Sequence, residues 1–214
     1  MARRWISVLA ILGLQLLLIS LIPCSSLQSR SPGEEISSQI SVGQKIPDLN
    51  LRDVQAALEY GWIQLYMLLP NASKTVLIFY RGYWSSDCQR QFADLRAHFS
   101  EFQEKGAQII GVSADDPHRA AEFARKIEKE YRIGAKQFIE GELLKLPFRL
   151  VTDNAPRGVQ TLGIGEEHPR YGLIARPTTI LLDKQGTIHW LHIGKSAEDR
   201  PSADQILQLL ASWS

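Results

Sequence analysis

Between residues 75 and 131 the chain switches twice between two hydrophobic periods, and that alternation restricts the fold more than any other feature of the sequence. Residues 75–80 (TVLIFY) form a continuous run of β-branched and aromatic side chains, the pattern of a strand buried on both faces. From residue 86 to residue 105 the spacing changes. Phe92, Leu95, Phe99 and Phe102 recur at three and four, as on the inner face of a helix, and Gly106 ends it. Residues 107–113 (AQIIGVS) again read as a buried strand. Asp116 and Pro117 open a second helix, which Ala121, Phe123, Ala124 and Ile127 carry to about residue 131. Strand, helix, strand, helix with crossovers requires parallel strands with helices on their faces.

The remainder completes one α/β domain over residues 42–214. Residues 133–146 are less regular. Residues 148–152 read as a short strand and residues 156–162 as a short helix. Residues 178–182 and 187–192 are two strands joined by Asp183-Lys184-Gln185-Gly186, an antiparallel hairpin with glycine in its turn. Residues 203–213 form an amphipathic helix with Ile206, Leu209 and Leu210 on one face and Ser202 as its cap. The expected architecture is a central mixed sheet flanked by helices. With 44% hydrophobic residues, one packed core is within reach. A net charge of +1 argues against a general nucleic-acid binder.

The first 27 residues have a different character. Arg3 and Arg4 precede an apolar run, residues 5–22, broken by Ser7, Gly13, Gln15 and Ser20 and followed by Pro23, Cys24, Ser25 and Ser26. Charge, apolar run and small polar residues are the parts of a secretory signal. The run is also about as long as the ~20 residues a bilayer-spanning helix needs. An N-terminal apolar helix, cleaved as a signal peptide or kept as an anchor, would place the domain on the extracytoplasmic side, periplasmic, luminal or secreted. Membrane contact is expected through this segment only. Residues 28–41, rich in Ser, read as a linker.

The two cysteines, Cys24 and Cys88, are too few for a disulfide scaffold or a thiolate zinc site. The histidines lack metal-ligand spacing, so no metal and no cofactor is expected. Cys88 follows the first core strand, where the next helix begins, the place where open α/β sheets locate their sites. It falls in the first turn, with Ser85 as the N-cap. Free backbone N–H groups and the helix dipole favour an anion there, and a thiolate is such an anion. Asp87 opposes this if its carboxylate faces the sulfur. Asn71-Ala72-Ser73 fits an N-glycosylation acceptor.

The segment FYRGYWSSDC, residues 79–88, resembles the FYRGxWCPxC motif of a peroxiredoxin-like branch of the alkyl hydroperoxide reductase/thiol-specific antioxidant (AhpC/TSA) family. Residues 42–51 (VGQKIPDLNL), 109–117 (IIGVSADDP) and 175–188 (ARPTTILLDKQGTI) resemble other segments of that family, so the similarity covers essentially the whole domain. The resemblance implies a thioredoxin-like fold. Cys88 matches the peroxide-reacting cysteine, or equally the second cysteine of a C-x-x-C pair. Ser85 matches the Thr/Ser that hydrogen-bonds peroxide and thiolate, or the first cysteine of that pair. Arg176 matches the arginine that holds the thiolate and a peroxide oxygen. Pro177 matches the proline, cis in thioredoxins, that abuts the active cysteine. Trp84 and Arg81 fall where they would line the substrate pocket.

The sequence departs from the pattern in two places. Arg81 stands where peroxiredoxins carry proline, and Ser85 with Cys88 replaces the dithiol. The reaction implied is reduction of a hydroperoxide by Cys88 alone. The thiol becomes a sulfenic acid, which an external thiol, a thioredoxin-like protein or a low-molecular-weight thiol, reduces. A homodimer is compatible with the resemblance. The alternative is a non-catalytic thioredoxin-fold module, or a thiol-disulfide redox partner, that engages other molecules through the same cysteine.

Overall fold

The computed structural model describes residues 39–54, 61–134, 146–153 and 155–213. The leader over residues 1–27, most of the linker and nearly all of the irregular stretch after residue 134 lie outside the described residues.

The strands, in chain order, are β1 (Asn50–Asp53), β2 (Trp62–Gln64), β3 (Lys74–Phe79), β4 (Ala107–Ser113), β5 (Arg149–Thr152), β6 (Gly165–His168), β7 (Gly172–Ala175), β8 (Thr178–Asp183) and β9 (Ile188–Ile193). Among the described residues, seven of them form one sheet in the order β2-β1-β5-β4-β3-β8-β9, while β6 and β7 form a separate hairpin. β3, β4 and β5 run parallel, and β1, β2, β8 and β9 join antiparallel, so the sheet is mixed as expected. The helices are α1 (Leu65–Leu68), α2 (Ser86–Ala97), α3 (Phe99–Glu104), α4 (Pro117–Gly134), α5 (Arg157–Thr161) and α6 (Ala203–Ser212).

Alternation along the central strands divides the core. Leu77 and Phe79 of β3 and Ile110 and Val112 of β4 pack on one face with Leu65, Leu69 and Val159. Val76, Ile78 and Tyr80 turn to the other face, against Phe92 and Leu95 of α2, Phe123 of α4 and Ile206 of α6. Each such side chain contributes about 1.5–3 kcal/mol by leaving water. Both faces of β3 are therefore sealed, which is why its sequence is an unbroken apolar run. Cys88 belongs to the second cluster.

The single helix expected over residues 86–105 is two helices. His98, at φ −98° and ψ 13°, interrupts it, its N–H donating to the Asp94 carbonyl at 3.2 Å and its ring Nδ1 lying 2.9 Å from the same oxygen. The hairpin at residues 183–186 is as expected. Asp183 Oδ1 accepts from the N–H groups of Gln185 and Thr187 and shapes the turn. α6 begins in a full capping box between Ser202 and Gln205.

Candidate active site

Cys88 is fully buried in the first turn of α2. Ser85 caps that turn, its Oγ accepting from the Cys88 N–H at 3.3 Å. Asp87 does not face the sulfur unopposed, because its carboxylate is paired with Arg90 one turn on. The cation that meets Cys88 is Arg200, whose Nη1 lies 3.4 Å from Sγ and 3.1 Å from Gln91 Oε1.

Arg200 is placed by a short ordered loop between β9 and α6. Asp199 bonds His192 Nε2 at 2.9 Å and the Lys195 N–H at 2.8 Å. Gly194 lets the loop fold back, since a side chain there would collide with the Asp199 carbonyl. Arg200 Nε donates to the Ala197 carbonyl at 3.1 Å, and Nη2 donates to the same oxygen. The loop is tied to α2 through Gln91 Nε2, which donates to the Pro201 carbonyl at 3.4 Å, and through Asp94 Oδ2, which accepts from the Ala203 N–H at 3.0 Å. Nothing in the sequence of this loop marks it as functional. Only its return to α2 does so.

The register of β3 against β8 pairs Phe79 with Thr178, so Arg176 and Pro177 reach the same sheet end as Tyr80 and Arg81. The guanidinium contact with the sulfur, expected of Arg176, is made by Arg200 instead. Arg176 donates from Nη2 to the Gly163 carbonyl at 3.4 Å, and its Nε is buried with no hydrogen-bond partner among the described residues. Pro177 is buried, and no cis peptide bond occurs among the described residues.

The loop before α2 is held from several sides. Gly82 sits at φ +152°, where a side chain would meet Trp84 Nε1 and Asp115 Oδ1. Asp115 Oδ2 accepts from the Tyr83 N–H at 2.8 Å, and Gln89 Nε2 donates to the Tyr83 carbonyl at 3.2 Å. Burial pushes the Asp115 carboxyl up to about 6, against the opposing pull of its hydrogen bonds and of Arg119. Behind it the Tyr80 phenol is raised well above its ordinary value, first by burial and then by the charge of Asp115.

The hairpin of β6 and β7 packs on this loop. Arg81 pairs with Glu166 at 2.8 Å and lies over the Trp84 ring. Trp84 stacks on Tyr171 at 4.5 Å, with His168 at 4.9 Å. Arg81 and Trp84 thus face this hairpin rather than an open pocket, and Ser85 beneath them is 4% exposed.

Residues 42–191 match the AhpC/TSA family. The chain belongs to that family. Its AhpC/TSA relatives include a chloroplastic peroxiredoxin Q from Populus jackii, 25% identical over 184 residues that cover 86% of this chain and 74% of the relative. A putative peroxiredoxin, YkuU, from Bacillus subtilis is 28% identical over 97 residues, covering 45% of this chain and 54% of that one. Among solved structures, the peroxidoxin BcpB of Mycobacterium tuberculosis superposes with a TM-score of 0.64 at 20% identity, covering 81% of this chain and 97% of that one. A cysteine-to-serine mutant of peroxiredoxin 6 from Arenicola marina superposes with a TM-score of 0.68 at 15% identity, covering 81% and 73%. These likenesses establish the thioredoxin-like fold, and family membership makes this AhpC/TSA chain an oxidoreductase of the thiol-peroxidase kind.

Proposed function

We propose that the chain reduces hydroperoxides through Cys88 alone. The observation that carries this reading is the contact between Arg200 Nη1 and Cys88 Sγ, a fixed cation against a sulfur at a helix N-terminus. Both features favour an anion at that atom. The sulfur attacks the outer peroxide oxygen, the O–O bond breaks, and the leaving oxygen departs as alcohol or water after taking a proton. Cys88 is left as a sulfenic acid. Ser85 Oγ and the spare Arg176 Nε are the donors that would orient the peroxide. Cys88 is the free cysteine among the described residues. Its sulfenic acid is therefore returned to the thiol by an external thiol. The apolar leader behind Arg3 and Arg4 supports an extracytoplasmic, membrane-anchored or secreted location for this chemistry.

The complete burial of Cys88 favours a second reading, a thioredoxin-fold module whose thiol does no chemistry. Trapping with dimedone after addition of hydrogen peroxide separates the two. Saturating, rapid labelling that is lost in Cys88→Ser and slowed in Arg176→Ala is expected for the peroxidase. A thiol that labels no faster than free cysteine leaves only the module.

A further inference from the structure

The hairpin of β6 and β7 is anchored at its base and lightly held at its tip. At the base, the Arg176 N–H donates to the Ile164 carbonyl at 2.8 Å, and Ile164, Ile174 and Ala175 are buried. At the tip, Pro169 and Arg170 are exposed. The contacts that hold the tip down are made with the loop before α2. Tyr171 stacks on Trp84, His168 lies 4.9 Å from each of their rings, and Tyr83 meets Tyr171 edge-on at 6.4 Å. Glu166 pairs with Arg81, the residue that stands where the family pattern has proline. Aromatic stacks and partly exposed ion pairs are weak beside core burial, so the tip parts from the loop more readily than the base leaves the core.

We infer that the tip of this hairpin decides by size which hydroperoxides reach Cys88, with Tyr171 as the specificity-determining residue. The inference deepens the peroxidase reading above and rests on it. Cys88 is fully buried and Ser85 beneath Trp84 is 4% exposed. Arg176, the other donor assigned to the peroxide, stands at the base of the same hairpin. A peroxide that reaches both donors therefore passes under the tip.

Hydrogen peroxide carries no substituent and passes with a small displacement of Trp84. An aryl or alkyl hydroperoxide carries its substituent on the far oxygen, and that group needs the space where Tyr171 covers Trp84. It reacts only in the fraction of molecules whose tip is raised, and its observed rate is scaled by that fraction. The covalent step is the same for both. The S–O bond forms, the O–O bond breaks, and the leaving oxygen takes a proton and departs as water or as the alcohol. Selection by the hairpin is therefore a matter of access and not of chemistry.

The test uses the whole chain and follows sulfenic acid formation at Cys88 with hydrogen peroxide and with cumene hydroperoxide. Wild type is expected to react faster with hydrogen peroxide. Tyr171→Ala should raise the ratio of the cumene hydroperoxide rate to the hydrogen peroxide rate about fivefold, the worth of one aromatic stack expressed as a rate. Tyr171→Phe keeps the stack and should return the ratio to that of wild type. Glu166→Gln should raise the ratio about twofold, and the wild-type ratio should climb with added salt, because the Arg81–Glu166 pair is screened. A purely structural role for Tyr171 would change both rates alike. A ratio unmoved by Tyr171→Ala and by salt therefore overturns the inference while leaving the peroxidase reading intact. Gln208→Trp fills a cavity of about 480 Å³ between β9 and α6 that Arg200 also lines. Loss of reaction with both peroxides in folded Gln208→Trp would mean entry past Arg200, and it too overturns the inference. Failure of wild type to form sulfenic acid with either peroxide overturns both.

Discussion

The Arg200 guanidinium lies 3.4 Å from Cys88 Sγ across 112 residues of sequence, and Gln91 Oε1 fixes the same nitrogen at 3.1 Å. Loss of a charged hydrogen-bond partner costs roughly 1.5–3 kcal/mol. Arg200→Gln is therefore expected to slow reaction of Cys88 with hydrogen peroxide by about 10–100-fold, measured by competition against a reference peroxidase. Arg176→Gln should also slow that step, because its free Nε is the donor available to the peroxide oxygen. If Arg200→Gln reacts at the wild-type rate, the contact is structural only.

Ser85 acts at the same helix end through its side chain, accepting from the Cys88 N–H. Removal of an N-cap hydroxyl costs about 1 kcal/mol. Ser85→Ala should lower unfolding stability by about that amount in a urea titration and slow sulfenic acid formation. Ser85→Thr, which keeps the hydroxyl, should recover both. Recovery of stability without recovery of rate would separate the cap from any contact with peroxide.

Asp115 holds the loop at a cost to stability. Its carboxyl is raised from 3.8 to about 6 by burial, so the folded chain binds a proton that the unfolded chain has already released between those values. This group's contribution to stability is complete below the unfolded value and is lost as pH rises through the folded one. At neutral pH the deficit is on the order of 3 kcal/mol. Asp115→Asn is expected to raise the melting temperature at pH 7.5, and the gain over wild type should shrink as pH falls from 6 to 4. Because the ionised carboxylate is the stronger acceptor for the Tyr83 N–H, the same variant should slow the peroxide step at pH 7.5. A melting temperature equal to wild type at both pH values would show that Asp115 is not ionised at a buried site.

The segments whose local pattern and tertiary role agree were legible in the sequence. Residues 75–80 are buried on both faces, so their composition alone announces a strand. Cys88 and Ser85 sit at a strand-to-helix junction, where spacing along the chain equals spacing in space. Arg176 and Pro177 were placed by the family resemblance alone, and the long-range antiparallel register of β8 against β3 carries them to the end of β3. Arg200 could not be placed, since it reaches the sulfur only through a loop closed by His192–Asp199 and by contacts with α2. The short strands β6 and β7, GEEH and GLIA, lack an alternating pattern and are stabilised by what they cover. The break at His98 leaves the spacing of Phe92, Leu95, Phe99 and Phe102 intact, so periodicity does not reveal it.

That cover should be measurable as local protection. Tyr171 stacks on Trp84 at an interplanar angle of 6°, a contact worth about 1 kcal/mol beyond burial. The Arg81–Glu166 pair is partly exposed and contributes less than ~1 kcal/mol. Tyr171→Ala should therefore speed hydrogen exchange of the amides at residues 82–85 about fivefold, through local opening, and leave the amides around Phe92 in α2 unchanged. Glu166→Gln should give a smaller acceleration that fades as salt is raised, since only the ion pair is screened. Unchanged exchange in both variants would mean that Asp115 and Gln89 hold the loop by themselves. Acceleration extending to Phe92 would mean that the hairpin stabilises the whole second core cluster rather than the loop that precedes the thiol.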